Sequence, residues 1–151
     1  MSRAMLLAFI LPGVLAACDG GALEPELDLE PELQSFVDQM NDHRESVGCP
    51  RLVWNEEVGD VARAHSQDMI DRDFFAHTNP DGASPADRLR EAGIDYRRMA
   101  ENIAWGYPTG SAVLQGWLGS SGHRANIENC ALLEHGAGLV GTHWTHKFVT
   151  M

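Results

Sequence analysis

Five side chains in this sequence have the chemistry of a polar site: Glu101, followed by Asn102, and the imidazoles of His77, His123 and His143. Glu101 and Asn102 open the stretch Ala100-Glu101-Asn102-Ile103-Ala104-Trp105-Gly106, where a carboxylate and an amide stand just before an apolar turn and a glycine. Two imidazoles and a carboxylate held together can ligate a divalent metal. They can equally serve as acid, base and orienting group in a hydrolytic site. Glu101 and Asn102 can also bond backbone groups and fix the wall of a cavity, and the sequence leaves that choice open. The common routes to catalysis are missing. The chain has no His-Glu-x-x-His, and Gly119-Ser120-Ser121-Gly122 lacks the spacing of a nucleophile elbow.

The remaining polar residues are read as structural. His65 lies on an apolar helical stripe and is expected to bond a backbone group. His123 is expected to cap its own loop in preference to facing the pocket. Arg124 and Asn126 are assigned structural bonds, and His43 and His135 are placed on the solvated surface.

Helices must carry much of this arrangement. Leu33, Phe36, Val37, Met40 and Val47 recur at helical spacing from about Glu32, and Gly48 and Pro50 end the run. Asn55 can cap a second helix whose inner face holds Val58, Ala62, His65 and Met69. Asp73 to Ala83 is irregular, with Asn79-Pro80-Asp81-Gly82 as a turn. A short helix should follow from Ser84, with Pro85 first, Asp87 in its first turn and Gly93 at its end. Pro108 to Gly110 turns the chain again, and Val113, Leu114, Trp117 and Leu118 mark a fourth helix. The runs 136–141 and 143–149 read as an antiparallel strand pair.

The N-terminus reads as an export device. Arg3 precedes an apolar run from Ala4 to Ala17 that suits a signal peptide over residues 1–17 and is short for a membrane span. It ends Leu15-Ala16-Ala17-Cys18, which resembles a bacterial lipobox and makes Cys18 the lipidated first residue of the mature chain. Asp19 resembles the signal that retains some lipoproteins on the inner membrane. Residues 18–31 form an acidic tether, and 32–151 a single domain. The expected location is the periplasm or cell envelope. Cys49 and Cys130 then remain, and two cysteines in an exported chain point to one disulfide. A formal net charge of -11 repels phosphate backbones, so nucleic acid is excluded as a partner.

Several ordered segments resemble the CAP superfamily of cysteine-rich secretory, antigen 5 and pathogenesis-related proteins, in its bacterial secreted branch. They are Ala64-His65-Ser66-Gln67-Asp68-Met69, Phe75-Ala76-His77-Thr78, Pro80-Asp81-Gly82, Glu101-Asn102-Ile103-Ala104, Gly122-His123-Arg124-Ala125-Asn126-Ile127 and His143-Trp144-Thr145. The resemblance implies an α/β (α+β) domain, an α-β-α sandwich with a small central antiparallel sheet and an open cavity. It implies His77 and His143 as ligands of zinc or another divalent cation, with Glu101 in support. Two positions depart from the family: Ser120 stands where a second glutamate is usual, and His146 where glutamine is usual. The incomplete site implies a monomeric, non-catalytic binding module for a small apolar ligand, an envelope component such as lipid, or a protein. The alternative is a metal-dependent hydrolase of peptide or another envelope polymer.

Overall fold

A computed structural model describes residues 29–151. The expected signal peptide, Cys18 and most of the expected acidic tether lie outside the described residues. The first helix, α1 (Pro31–Ser46), buries Leu33, Phe36, Val37 and Met40 along one face. Gly48 ends it at φ +84°, the left-handed region that glycine enters without a Cβ penalty. A two-residue strand β1 (Val53–Trp54) leads to α2 (Glu56–Asp71), where the Asn55 side chain accepts from the Val58 N–H as expected of a cap. The short α3 (Pro85–Glu91) begins in a reciprocal capping box between Ser84 and Asp87. Next come β2 (Arg98–Trp105), α4 (Gly110–Leu118), α5 (Ser121–Ile127), β3 (Glu134–Val140) and β4 (His143–Thr150).

The four strands form one sheet in the order β1-β3-β4-β2. Three of them pair antiparallel, while β1 joins β3 in parallel. Helix layers cover both faces. Gly136 and Gly138 of β3 let α2 approach so closely that a Cβ on either would collide with its backbone at Gly59 or Arg63. The opposite face sends Ala137, Leu139, Trp144 and Phe148 into the main core with Phe36, Val113 and Trp117 from α1 and α4. Phe36 meets Trp117 and Trp144 edge-to-face at 5.4 and 5.8 Å. The expected α-β-α sandwich is therefore present.

Three elements depart from the sequence reading. The stretch after Ala100 is not a turn but most of strand β2, and the turn comes at Gly106, φ +87°. Helix α5 and strand β1 were not expected. His135 is not on the surface: it is fully buried in β3, with its Nδ1 3.0 Å from Nε2 of the equally buried His146. His43 is partly buried, 2.9 Å from the Glu128 carboxylate. The reason is common to both cases, since each histidine finds a local partner that replaces water.

Cys49 and Cys130 form the expected disulfide, 81 residues apart. Beside it, buried Arg44 donates to the carbonyls of Pro50, Ile127, Asn129 and Leu132. That fan holds the same joint as the disulfide, so the bridge acts mainly on the unfolded chain. Replacing both cysteines by serine should cost about 4 kcal/mol in the chain-entropy model, with the native fold retained. Urea unfolding of the oxidised and double-serine proteins measures this. A loss below about 1 kcal/mol would show that the loop is already constrained when unfolded.

Candidate functional site

Glu101 sits on β2 opposite Lys147 of β4, on the sheet face turned toward α2 and α3. Its side chain is only 2% exposed, yet three cationic or proton-donating groups reach it. Oε2 accepts from Lys147 Nζ at 2.6 Å and from Arg88 Nη2 at 3.1 Å. Oε1 accepts from His77 Nδ1 at 2.9 Å. Burial alone would raise the carboxyl pKa. The His77 hydrogen bond, the charge and hydrogen bond of Lys147 and the charge of Arg88 overcome this and bring it down to about 2. Glu101 is thus a permanent carboxylate at neutral pH.

Its partners are fixed in turn. Lys147 also donates to the Pro85 carbonyl at 3.3 Å, and Arg88 to the Ala83 carbonyl at 2.9 Å, so the start of α3 is tied to the carboxylate. The irregular segment carrying His77 is held at both ends. Arg72 at the α2 terminus binds Asp68 and Asp81, and buried His65 bonds the Ala76 carbonyl through Nε2 at 2.9 Å. His65 therefore has the backbone role expected of it, and that role positions the residue next to His77.

Asn102 points to the opposite face, as alternation along a strand requires. It is fully buried, donates to the His123 carbonyl at 3.1 Å and accepts from Asn126 Nδ2 at 2.8 Å. The Glu-Asn pair therefore has divided roles: the carboxylate holds His77, and the amide holds α5 with His123. Asn126 has the structural bond expected of it, while Arg124 is exposed. His123 Nδ1 lies 2.9 Å from Ser120 Oγ, a bond within its own turn, as expected. Burial lowers the His123 pKa and the charge of His77 lowers it further, so the two imidazoles are within electrostatic reach of each other.

His143 is placed apart. The register pairs it with Trp105, four residues along both strands from the Glu101–Lys147 pair, a separation of about 13 Å at the usual strand rise. Its ring stacks on Trp105 at 5.6 Å and 19°. Burial alone lowers its pKa, with no contribution from His77 or Glu101. The structure thus joins His77 to Glu101, leaves His123 within electrostatic reach of His77, and sets His143 apart. It adds Arg88 and Lys147, which the sequence reading did not select. A lone lysine inside the strand run His143 to Thr150 was the available signal, because such a residue needs a buried anion.

Among the described residues, no cluster of three or more His, Cys, Asp or Glu is arranged to hold a metal. Two imidazoles remain. His77 donates its Nδ1 proton to a carboxylate that can only accept, so the neutral ring carries its lone pair on Nε2. A carboxylate behind an imidazole is the usual support of a histidine ligand.

A small sheet between two helix layers, with an edge-strand carboxylate orienting a half-exposed histidine, is the helix–sheet–helix arrangement suggested by the motifs. The family model for the cysteine-rich secretory protein family, CAP, matches residues 37–149, and the chain belongs to that family. It is 39% identical over 118 residues to the uncharacterized protein YkwD of Bacillus subtilis (strain 168), covering 77% of this chain and 46% of that one. It is 34% identical over 116 residues to the uncharacterized membrane protein YlbC of the same organism, covering 77% and 34%. The chain thus spans less than half the length of these relatives. The crystal structure of an extracellular protein containing a SCP domain from Bacillus anthracis str. Ames is 35% identical, with a TM-score of 0.77 over 80% of this chain and 40% of that one. An outer surface protein of Borrelia burgdorferi shares the fold at 17% identity, with a TM-score of 0.75 over 82% and 96%.

Proposed function

We propose that the domain is a non-catalytic binding module of the bacterial cell envelope, anchored through a lipidated Cys18, whose ligand meets the imidazoles of His77 and His123. The observation that carries this reading is the state of Glu101. A carboxylate with a pKa of about 2, shared among Lys147, Arg88 and His77, is a poor proton acceptor at neutral pH. It suits a group whose task is to hold His77 in one orientation. The ligand classes remain a small apolar molecule, an envelope component or a protein.

A divalent ion such as zinc fits two imidazoles, with other positions open to ligand. His77 and His123 would hold it, in place of the expected pair of His77 and His143, and Glu101 would act behind His77. The ion would supply Lewis acidity to a ligand oxygen. The test is calorimetric titration of zinc into the chelator-stripped protein and its His77→Ala, His123→Ala and His143→Ala variants. The first two should lose more than about tenfold in affinity, while His143→Ala should bind as the parent does. Equal binding by all four proteins would remove the ion from this site.

One observation favours a second reading. Ser120 Oγ lies within hydrogen-bond reach of an imidazole, the first requirement of an activated serine. Hydrolysis of peptide or another envelope polymer, abolished by Ser120→Ala with the fold intact, would replace the binding reading.

A further inference from the structure

Trp105 is 63% exposed, while Trp117 and Trp144 are 2% and 0% exposed. An indole this open needs a reason, because its apolar area is large. It is also held rigidly. It ends β2 in register with His143, whose ring stacks on it, and the next amide, Gly106 N–H, donates to the Thr142 carbonyl at 3.1 Å. The β3–β4 turn beneath it is flanked by Ile70, 38% exposed, whose Cδ1 lies 3.6 Å from where a Cβ on Gly141 would stand. The outcome is a fixed aromatic and aliphatic tip at one end of the sheet.

The described chain begins at this same end. Glu30 shares a surface groove with Leu139, Val140 and Gly141 of that turn. Glu32, one turn into α1, accepts from the Gly110 N–H at the start of α4, just beyond Trp105 in the chain. Eleven residues separate Cys18 from Glu30. Fully extended they span at most about 40 Å, so a lipid on Cys18 keeps this end of the domain close to the bilayer.

We infer that the Trp105 tip is the membrane-seating face of the anchored protein, with the indole lying in the headgroup layer of the bilayer. This rests on the lipid-anchor reading above. Tryptophan favours that layer, where its ring is half apolar and its N–H stays wet. A single indole gives weak affinity, but a short tether raises the effective concentration to the millimolar range, so weak affinity suffices. The net charge of -11 opposes anionic lipid and leaves the aromatic contact to a zwitterionic surface. Seating by this tip also fixes how the His77–Glu101 site is presented, since β2 carries both Trp105 and Glu101.

The test uses the chain from Cys18 onward, where the disulfide leaves Cys18 as the only free thiol. Cys18 is coupled to a maleimide lipid in phosphatidylcholine vesicles whose acyl chains carry bromine near the headgroup, and tryptophan emission is recorded. The parent protein should be quenched relative to bromine-free vesicles, and Trp105→Ala should lose that quenching while keeping its circular dichroism. Equal quenching of parent and variant, or none in either, would overturn the seating. So would an emission shift of Trp105 produced by soluble glycan-strand fragments and not by vesicles, which would assign the ring to carbohydrate. The anchor is checked separately by intact mass of envelope-extracted protein. An unmodified Cys18 would overturn the anchor, and the coupled-vesicle result would still report on Trp105 itself.

Discussion

Glu101→Gln is expected to destabilise the domain by about 3–5 kcal/mol, the range for removing one partner of a buried ion pair. The side chain of Lys147 is 0% exposed and that of Glu101 2% exposed, so neither can turn to water when the other is lost. Burial lowers the Lys147 pKa, and the charge and hydrogen bond of Glu101 oppose that shift; without them the cation is left facing Arg88. Glutamine keeps the shape and can accept hydrogen bonds, so the loss reports the charge and not the packing. The control is Glu101→Gln with Lys147→Met, which removes both buried charges and should recover most of the stability. Urea unfolding of the parent, single and double variants gives the comparison. A single variant within about 1 kcal/mol of the parent would mean that water reaches the pair.

The second large effect is acid lability from the His135–His146 pair. Both rings are fully buried. Burial, with the Arg44 charge adding to it, lowers the His135 pKa to about 3. Burial, then His135 and Arg44, lower that of His146 well below its ordinary value. The native state therefore holds both rings neutral, whereas the unfolded chain takes up their protons below about pH 6.5. The unfolded state binds more protons there, so stability is full above about pH 6.5 and falls as pH drops. Each ring contributes a slope of up to about 1.4 kcal/mol per pH unit, which for His135 continues toward pH 3. Glu101 acts in a lower window: its folded pKa of about 2 contributes stability above its unfolded value near 4.5, lost as pH falls through about 2. Buried His65, whose pKa burial lowers, adds to the histidine slope. His146→Gln, a residue usual at this position in the family, removes one titrating ring. Denaturant unfolding between about pH 7 and pH 5 should show a shallower slope for that variant, by about 1 kcal/mol per pH unit on average. An unchanged slope would place the acid sensitivity elsewhere.

Helices α1 to α4 were legible because their ends carry local chemistry, whereas the N-cap of α5, Ser120, makes no side-chain cap bond. Asn55, the Ser84–Asp87 box and Gly48 each satisfy or terminate backbone groups within a few residues, which a linear sequence displays. Strand β2 was hidden for the opposite reason. Arg98 to Trp105 has no alternation of apolar and polar residues, since Glu101 to Ala104 are all buried and two of those four are polar. The burial of Glu101 depends on Lys147 and Arg88, 46 and 13 residues away, and that of Asn102 on His123 and Asn126, 21 and 24 residues away. His135 was misplaced for the same reason, because a polar side chain reads as exposed until its partner is known. The sequence reading paired His77 with His143 as ligands and kept His123 as a further candidate. Motif similarity does not carry strand register, and register places His143 beside Trp105.

The strand latest in sequence among the described residues, β4, does not lie at an edge of the sheet but between β3 and β2. Order of synthesis therefore bears on when the site exists. While a nascent chain emerges, β2 has no neighbour to pair with, and Glu101 has no Lys147 to offset its burial. Helices can form early, but the carboxylate has to stay hydrated until the last strand inserts. Closure of that long loop is the kind of non-local step that sets slow folding rates. The histidine site therefore comes into being as a late event in folding.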